Sequence, residues 1–578
     1  MNKKDDNRTI PVIVGITGHR DIRREDEDKL RKAVREELKK LQAVCPHSRL
    51  VVLTSLARGA DMLCAGVAEE MGFPLYIVLP MEKETFANAQ QFTDLEQREF
   101  NNFCEKAERL FVTSITEEAP DAEVAAVEKE LPDPRSSRAI QSLDKEVLKR
   151  IYDHLYRQAG IYIISHCHVL LALWDGVKSE KAGGCGTADI IKSSLKGAYY
   201  PISGVSFRSA SNEAVIHIFT PRGVHAEKEA GTVSREGNWT AVEEVIQKTD
   251  KFNALSSQIN IDESNFYLLP KDYKEKNDPV LEHINSIYHI SDTLSTMAQT
   301  EYRKALKWMA VLGTIITFSF LLYDEAEMTW LILACGLALL AAYYYQRKAS
   351  KSDCHENHLE YRVLAEDLRV QANLRYAGSQ LQVANLLPWT QQEETAWIMD
   401  ALCALTAGDR PEEGGDIEAV KESIKKYWLD DQLAYHKKKI LSQEKDNAGH
   451  ERIIKGALRF SILLYVITLL FEIICGGLLI QPVISVSDIE AWRSGFKVFL
   501  GTASVAALFA ANYFGKLSPQ RILSDHRKMA NFYERMSMLL ENNPDLPEEV
   551  LTTLAREMLI ENGNWYSYQK DNTPDINI

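Results

Sequence analysis

Between Pro11 and about Arg222 the chain alternates short apolar runs with longer amphipathic stretches. Apolar runs at 11–16, 50–54, 74–79, 109–113, 168–173 and 214–220 are separated by stretches such as 24–43, 60–71, 92–107 and 142–160. In those stretches the apolar residues recur at helical spacing. Alternation of this kind predicts an α/β fold, a doubly wound parallel sheet with helices between the strands. The runs VVLT, LYIVL and VLLAL are apolar throughout, as expected of strands covered on both faces. An acidic, proline-containing stretch at 116–136 reads as a loop, and the polar, mixed stretch 226–278 as a connector.

Beyond Asn277 the pattern changes to helical and then apolar, so an all-α membrane region is expected. One long helix leads from about Asp278 into Trp308–Tyr323, which carries no charge; Asp324, Glu325 and Glu327 make an acidic turn, and Met328–Tyr345 is again uncharged. A second hairpin follows. Phe460–Ile480 is apolar except for Glu472, a polar turn runs from about Ser485 to Arg493, and Val498–Gly515 is uncharged and rich in small residues. Each arm approaches the roughly 20 apolar residues that span a bilayer, with lysine-rich ends able to snorkel. Small residues in the last arm permit close helix approach.

Arg303, Lys304 and Lys307 precede the first hairpin, and Arg347, Lys348 and Lys351 follow it; Arg452, Lys455 and Arg459 precede the second, and Lys516, Arg521, Arg527 and Lys528 follow. The positive-inside rule then places both hairpin bases and both termini in the cytoplasm. The organisation expected is an α/β domain at 1–225, a connector at 226–278, and a leading helix with hairpin 308–323 and 328–345 inside 279–350. A cytosolic helical region at 351–455 follows, including helices at 417–428 and 429–445. Hairpin 460–480 and 498–515 lies inside 456–516, and cytosolic helices fill 517–578. LEYRVLAEDLR around Arg362 and SDHRKMANFYER around Arg527 follow the two hairpins in corresponding places, which suggests an internal duplication.

Charge and cysteine content narrow the function. A net charge of -15 argues against wrapping double-stranded nucleic acid, although a few basic groups in a cleft can still bind a small anion. The nine cysteines are scattered and never spaced as CxxC, so neither a disulfide framework nor a zinc ribbon is indicated. His166 and His168 flank Cys167 without further ligands nearby, so no metal site is expected. The polar N-terminus MNKKDDNRTI lacks the apolar core of a cleaved secretory signal.

Four segments fall where an α/β sheet gathers ligand groups, outside the carboxyl ends of its strands. The first is GITGHR, with Gly15, Thr17, Gly18, His19 and Arg20; its glycines let backbone N–H groups approach an anion. The second is TSLARGAD, with Ser55, Arg58, Gly59 and Asp61, where a helix N-terminus suits phosphate and Asp61 serves either the ligand or the helix cap. The third is LALWDG, in which Trp174 either stacks on a base or packs, beside Asp175. The fourth is GGCGTADII, with Gly183, Gly184, Gly186, Thr187 and Asp189, a glycine-rich turn entering a helix. Glu472, an ionisable residue in a membrane arm, is a candidate for lining a pore or pairing with a neighbour.

These segments in order, with AVIHIFTPR at 214–222, resemble the SLOG superfamily, named for the DNA-processing protein DprA and the LOG phosphoribohydrolases. The resemblance covers roughly the first 225 residues. It implies either cleavage of nucleotide glycosidic bonds or sensing of nucleotide or NAD-derived signals, with no resident cofactor. A SLOG domain followed by paired membrane helices is similar to bacterial conflict proteins carrying SLATT-type effector regions. LOG hydrolases carry PGGxGTxxE with a catalytic glutamate. Here Gly183, Gly184, Gly186 and Thr187 align, but Ile190 stands at the glutamate position and Ala182 at the proline. Isoleucine cannot transfer a proton or stabilise an oxocarbenium ion, so no catalytic residue is assigned. The resemblance therefore implies a multi-pass inner-membrane effector in anti-phage defence. It would form a homo-oligomer, sense a nucleotide-type second messenger and alter permeability of the lipid bilayer as a channel or pore. The alternative it implies is a membrane-anchored LOG-type nucleotide N-glycosidase.

Overall fold

The structure, a computed structural model, describes residues 7–113, 145–177, 186–196, 214–222, 229–259, 268–269, 278–326, 330–351, 353–409, 417–480, 486–516, 519–543 and 548–571. The 116–136 loop, Gly183 and Gly184 lie outside them. The chain forms two compact units, one of residues 1–291, 363–420 and 547–563, the other of residues 292–362, 421–546 and 564–578.

The first unit is built on a seven-stranded sheet. Strands β1 (Val12–Gly18), β2 (Leu50–Thr54), β3 (Leu75–Leu79), β4 (Arg109–Val112), β5 (Val169–Trp174), β6 (Ala214–Phe219) and β7 (Val233–Gly237) lie in the order β4-β3-β2-β1-β5-β6-β7. The first six are parallel, and β7 runs antiparallel to β6. Strands β2, β3 and β5 are buried at every position, whereas β4 and β7 at the edges are largely polar or half-exposed. That gradient follows from helices covering both faces of the central strands and from the need to keep edges unattractive to other chains. Helix α1 (Glu27–Val44) buries Leu30, Val34, Leu38 and Leu41, one stripe at helical spacing. Helices α2 (Ala60–Glu70), α3 (Lys83–Gln90), α4 (Asp94–Lys106), α5 (Lys145–His166) and α6 (Thr187–Lys196) complete the layers. Thr93 and Glu96 form a reciprocal capping box at the start of α4.

The stretch read from sequence as a connector contributes β7 and helix α7 (Trp239–Ser256) to this unit. Asn253 accepts from the Ile10 N–H at 2.8 Å and donates to the Ile10 carbonyl at 2.8 Å, and Asp250 accepts from Ser48 Oγ at 2.8 Å. The polar residues that made the segment look like a linker are thus spent on stitching α7 to the strand starts. Part of the region expected to extend a bundle beneath the membrane also belongs here. Helix α8 (Pro279–Ala326) begins in the first unit, helix α9 (Leu331–Lys351) follows, and helix α10 (Cys354–Tyr376) returns to it. Helix α11 (Ala396–Thr406) is buried from Trp397 to Thr406, its Trp397 ring 6.1 Å from Phe252 of α7. Arg109 Nη1 donates to the carbonyls of Leu405 and Ala407 at 2.9 and 2.8 Å, satisfying the carboxyl end of α11 with a cation.

The second unit is helical. After helix α12 (Ile417–Ser423) and a π-helical turn, helix α13 (Asp431–Ile480) is followed by α14 (Val486–Lys516), α15 (Pro519–Asn542) and α16 (Glu548–Asp571), whose last residues join this unit. Among the described residues three helical spans are long and apolar enough to cross a membrane, Pro279–Glu325, Ile417–Cys475 and Ile489–Ala511. Helix α9 packs antiparallel on α8: Trp308 stacks on Tyr345 with ring centroids 5.9 Å apart, and Leu312 clusters with Ala338 and Ala342. Glycines bring α8 and α14 together. A Cβ on Gly313 would stand 2.8 Å from the Phe509 ring, and one on Gly501 would stand 2.8 Å from Leu321. Leu333, Leu337, Leu340, Leu463, Ile473 and Leu508 of these helices are exposed.

Candidate functional site

In the sheet order, β1 runs on to β2, β3 and β4 on one side, and the chain then returns to place β5 on the other side of β1. The topological switch point therefore lies between β1 and β5, and the edge outside their carboxyl ends is where open α/β sheets hold ligands. Of the residues singled out in the sequence, those following β1, β2 and β5 and those opening α6 gather around this edge.

The glycines answer first to packing. Gly15 sits inside β1, where a Cβ would meet Ile163 at 2.7 Å and Cys167 Sγ at 2.8 Å; it is covered by α5 and is not brought to the ligand edge. A Cβ on Gly18 would come 2.3 Å from the Ala60 Cβ and 2.9 Å from the Leu173 carbonyl. Gly59 precedes α2 with φ 87°, and a Cβ there would stand 2.3 Å from the Arg20 carbonyl. The ends of β1 and α2 consequently touch backbone to backbone, and the Ala60 N–H donates to the His19 carbonyl at 3.0 Å. Thr17 is half-buried beside Ala172 in the strand register.

The 54–59 loop wraps the Asp61 carboxyl. Asp61 is buried, accepts from the Ala57 N–H at 3.3 Å, and its pKa is pushed up to about 7 by burial, with hydrogen bonds from the loop working against the rise. It acts as a loop staple at the helix start. Ser55 lies half-buried in the same loop.

Two arginines follow β1 and β2 at this edge. Arg20 is exposed, with its guanidinium 4.7 Å from the centre of the Tyr156 ring, a cation–π contact. Arg58 donates through Nε to Glu96 Oε1 at 2.9 Å, and its backbone N–H donates to Gln90 Oε1 at 3.1 Å. Gln90 Nε2 in turn donates to the Tyr156 hydroxyl at 3.0 Å. A ligand that recruits Arg58 must compete with Glu96.

On the other side, Trp174 is buried with its ring 5.2 Å from His217, and its carbonyl accepts from Thr220 N–H at 2.9 Å. It is a packing residue rather than an open stacking platform. Thr187 Oγ1 donates to the Gly18 carbonyl at 2.9 Å, drawing the start of α6 onto the end of β1. The Gly186 carbonyl accepts from the N–H groups of Asp189 and Ile190 at 2.9 and 3.1 Å. Asp189 is half-buried. Ile190 is buried, and a Cβ on Gly160 would meet its Cδ1 at 2.4 Å, so this position faces α5.

His19, like Asp61, is only 5 % exposed. Its Nε2 lies 3.1 Å from Asp175 Oδ1, and its Nδ1 lies 2.5 Å from Arg222 Nη2. Burial lowers its pKa below 6.5; the Arg222 charge adds to this and the Asp175 charge opposes it. Asp175 Oδ1 also accepts from the Val177 N–H at 3.0 Å. Arg222, Tyr156, Gln90 and Glu96 were not among the residues picked from the sequence. Arg222 stood in the quoted run ending TPR, directly after β6, and its place at a strand's carboxyl end was the available signal.

Away from this edge, His168 Nδ1 accepts from the Ile13 N–H at 3.1 Å and His166 stacks on Tyr162 with centroids 3.9 Å apart. Glu472 pairs with Arg493 of α14, whose Nε donates at 2.8 and 3.0 Å. Known protein families and curated proteins were compared with the chain, and none matches it.

Proposed function

We propose that this protein is a membrane effector that senses a nucleotide-derived messenger of the SLOG type and responds through its SLATT-like membrane helices. The observation that carries the reading is the convergence of Gly18, His19, Arg20, Arg58, Asp175, Thr187 and Arg222 at the switch point of the sheet. Two exposed guanidiniums and two helix N-termini at one edge suit an anion. Binding rather than hydrolysis is favoured because the position of the LOG glutamate is the buried Ile190, turned against Gly160.

Four membrane crossings with both termini cytoplasmic fit the first unit best. That unit contains residues 1–291, 363–420 and 547–563, so the chain must return to the same side after each excursion. If α8 crosses, α9 crosses back. Glu472 then serves as the partner of Arg493 within the second hairpin, and the exposed apolar faces of α9, α13 and α14 meet lipid or further copies of the chain. The output proposed is a change in permeability by an oligomer during anti-phage defence, and it requires the ligand to bind the two states of the helices with different affinity.

Mass spectrometry of small molecules released from the purified full chain tests the ligand class. A nucleotide should be released from the wild type and lost from Arg20→Ala with Arg222→Ala. Protein that binds cyclic nucleotides or ADP-ribose yet never permeabilises liposomes with any of them would sink the effector half of the reading.

A further inference from the structure

This inference rests on the reading of the sheet edge as an anion site and concerns what Arg58 must give up to bind one. The Arg58 backbone is fixed: its N–H donates to Gln90 Oε1 at 3.1 Å, and Gln90 Nε2 donates to the Tyr156 hydroxyl at 3.0 Å. The side chain is held separately. Its Nε donates to Glu96 Oε1 at 2.9 Å, and among the described residues that is the one hydrogen bond the guanidinium makes. The side chain can therefore swing to a new partner while the loop that carries it stays in place.

Glu96 owes its position to its own local structure. It is the third residue of α4, and its Oε2 accepts from the Thr93 N–H at 2.7 Å and from the Thr93 hydroxyl at 2.8 Å, the reciprocal half of the capping box. The two oxygens thus have separate tasks, Oε2 closing the cap and Oε1 meeting Arg58. Because the cap does not involve Arg58, the arginine can leave without unmaking the start of α4. What it leaves is an ion pair whose side chains are 41 % and 26 % exposed, and pairs open to water are weak. The contact also uses a single N–H of the guanidinium, whereas a phosphate can take two N–H groups of the same fork.

We propose that Glu96 is an internal rival of the ligand: its carboxylate parks Arg58 beside α4, and a phosphate-bearing ligand binds by taking the guanidinium from it. The capping box stays closed throughout, so Glu96 remains in place to reclaim the arginine when the ligand leaves. Glu96 thereby lowers the affinity of the site by the free energy of one exchangeable ion pair.

Glu96→Gln isolates this rivalry, because glutamine serves a capping box as glutamate does and carries no charge. In calorimetric titration of the full chain with ADP-ribose, Glu96→Gln should bind about threefold to fivefold more tightly than wild type, the span expected of a weak exposed pair, with an unfolding midpoint close to that of wild type. Removing a negative charge near any anion site also helps an anion, and the Arg58→Gln background separates the two effects. If Glu96 acts by holding Arg58, Glu96→Gln adds nothing there. An equal gain with and without Arg58, or no gain while ADP-ribose still binds, overturns the rivalry and leaves the anion-site reading standing. Absence of ADP-ribose binding in wild type and in both single variants overturns both for this ligand class.

Discussion

At Gly59 a positive φ and a carbonyl 2.3 Å from the site of a Cβ act together. Gly59→Ala should cost about 1–3 kcal/mol, read as a lowered unfolding midpoint, because both strain and collision fall on backbone that cannot step aside. Asp61 gives a pH signature. Its folded pKa of about 7 lies above the ordinary value of 3.8, so the folded form holds a proton that the unfolded chain has released. Stability associated with this group is full below the unfolded pKa and is lost as pH rises towards about 7, by up to about 4 kcal/mol. Asp61→Asn should flatten that part of the stability profile, and a profile as steep as wild type would exclude Asp61 as its source. The GITGHR and ARGAD glycines were legible in the sequence as special positions. Their physical task was not, since a glycine that admits a phosphate and one that admits a neighbouring helix read alike.

Helix α8 shows how an element is fixed at its start. Asp278 Oδ1 accepts from the Val280 and Leu281 N–H groups at 3.0 Å each, and Arg375 of α10 grips the same carboxylate at 2.6 and 2.9 Å while also reaching Asp409. Arg375 is 6 % exposed, so Arg375→Met would leave two acids without their cation. The expected cost is about 3 kcal/mol, seen as faster hydrogen exchange at Val280 and Leu281; unchanged protection there would mean the cap stands without the arginine. Element types were read well from pattern: the six parallel strands and the long leading helix fall where the periodicity puts them. β7 was missed because a short polar edge strand carries little apolar signal, and α7 because its apolar stripe of Val242, Val245, Ile246 and Phe252 is interrupted by charged and amide residues within a mixed polar stretch. The α11 run AWIMDALCALT did carry one, being apolar all round as a buried helix is.

For the whole molecule, the composition of the first unit makes a topological prediction. Glu25→Cys, Glu393→Cys and Glu557→Cys, each in that unit, should label from one side of the membrane, in a background cleared of accessible native cysteines. Glu490→Cys, near the start of α14 and of the last span, should label only from the other. Glu393→Cys labelling from the side opposite Glu25→Cys would rule out four crossings and require α9 to lie outside the bilayer. The tyrosine- and lysine-rich end of α9 dilutes its apolar character, yet the helix packs along α8 as the returning arm of a hairpin would.

The sequence by itself determined the six parallel strands, the apolar spans and the set of loops that meet at the sheet edge, because those depend on local periodicity and on turn residues. Only the tertiary structure decided that residues 233–256 and 363–409 belong with the sheet, since both are held by contacts with residues far away in the chain. It likewise decided what each site residue faces. Trp174 is turned into the fold, Arg58 is held by Glu96, and Arg222 is laid against His19 from 203 positions away. Hydrogen-bond partnership depends on distance in space, and spacing along the chain does not encode it.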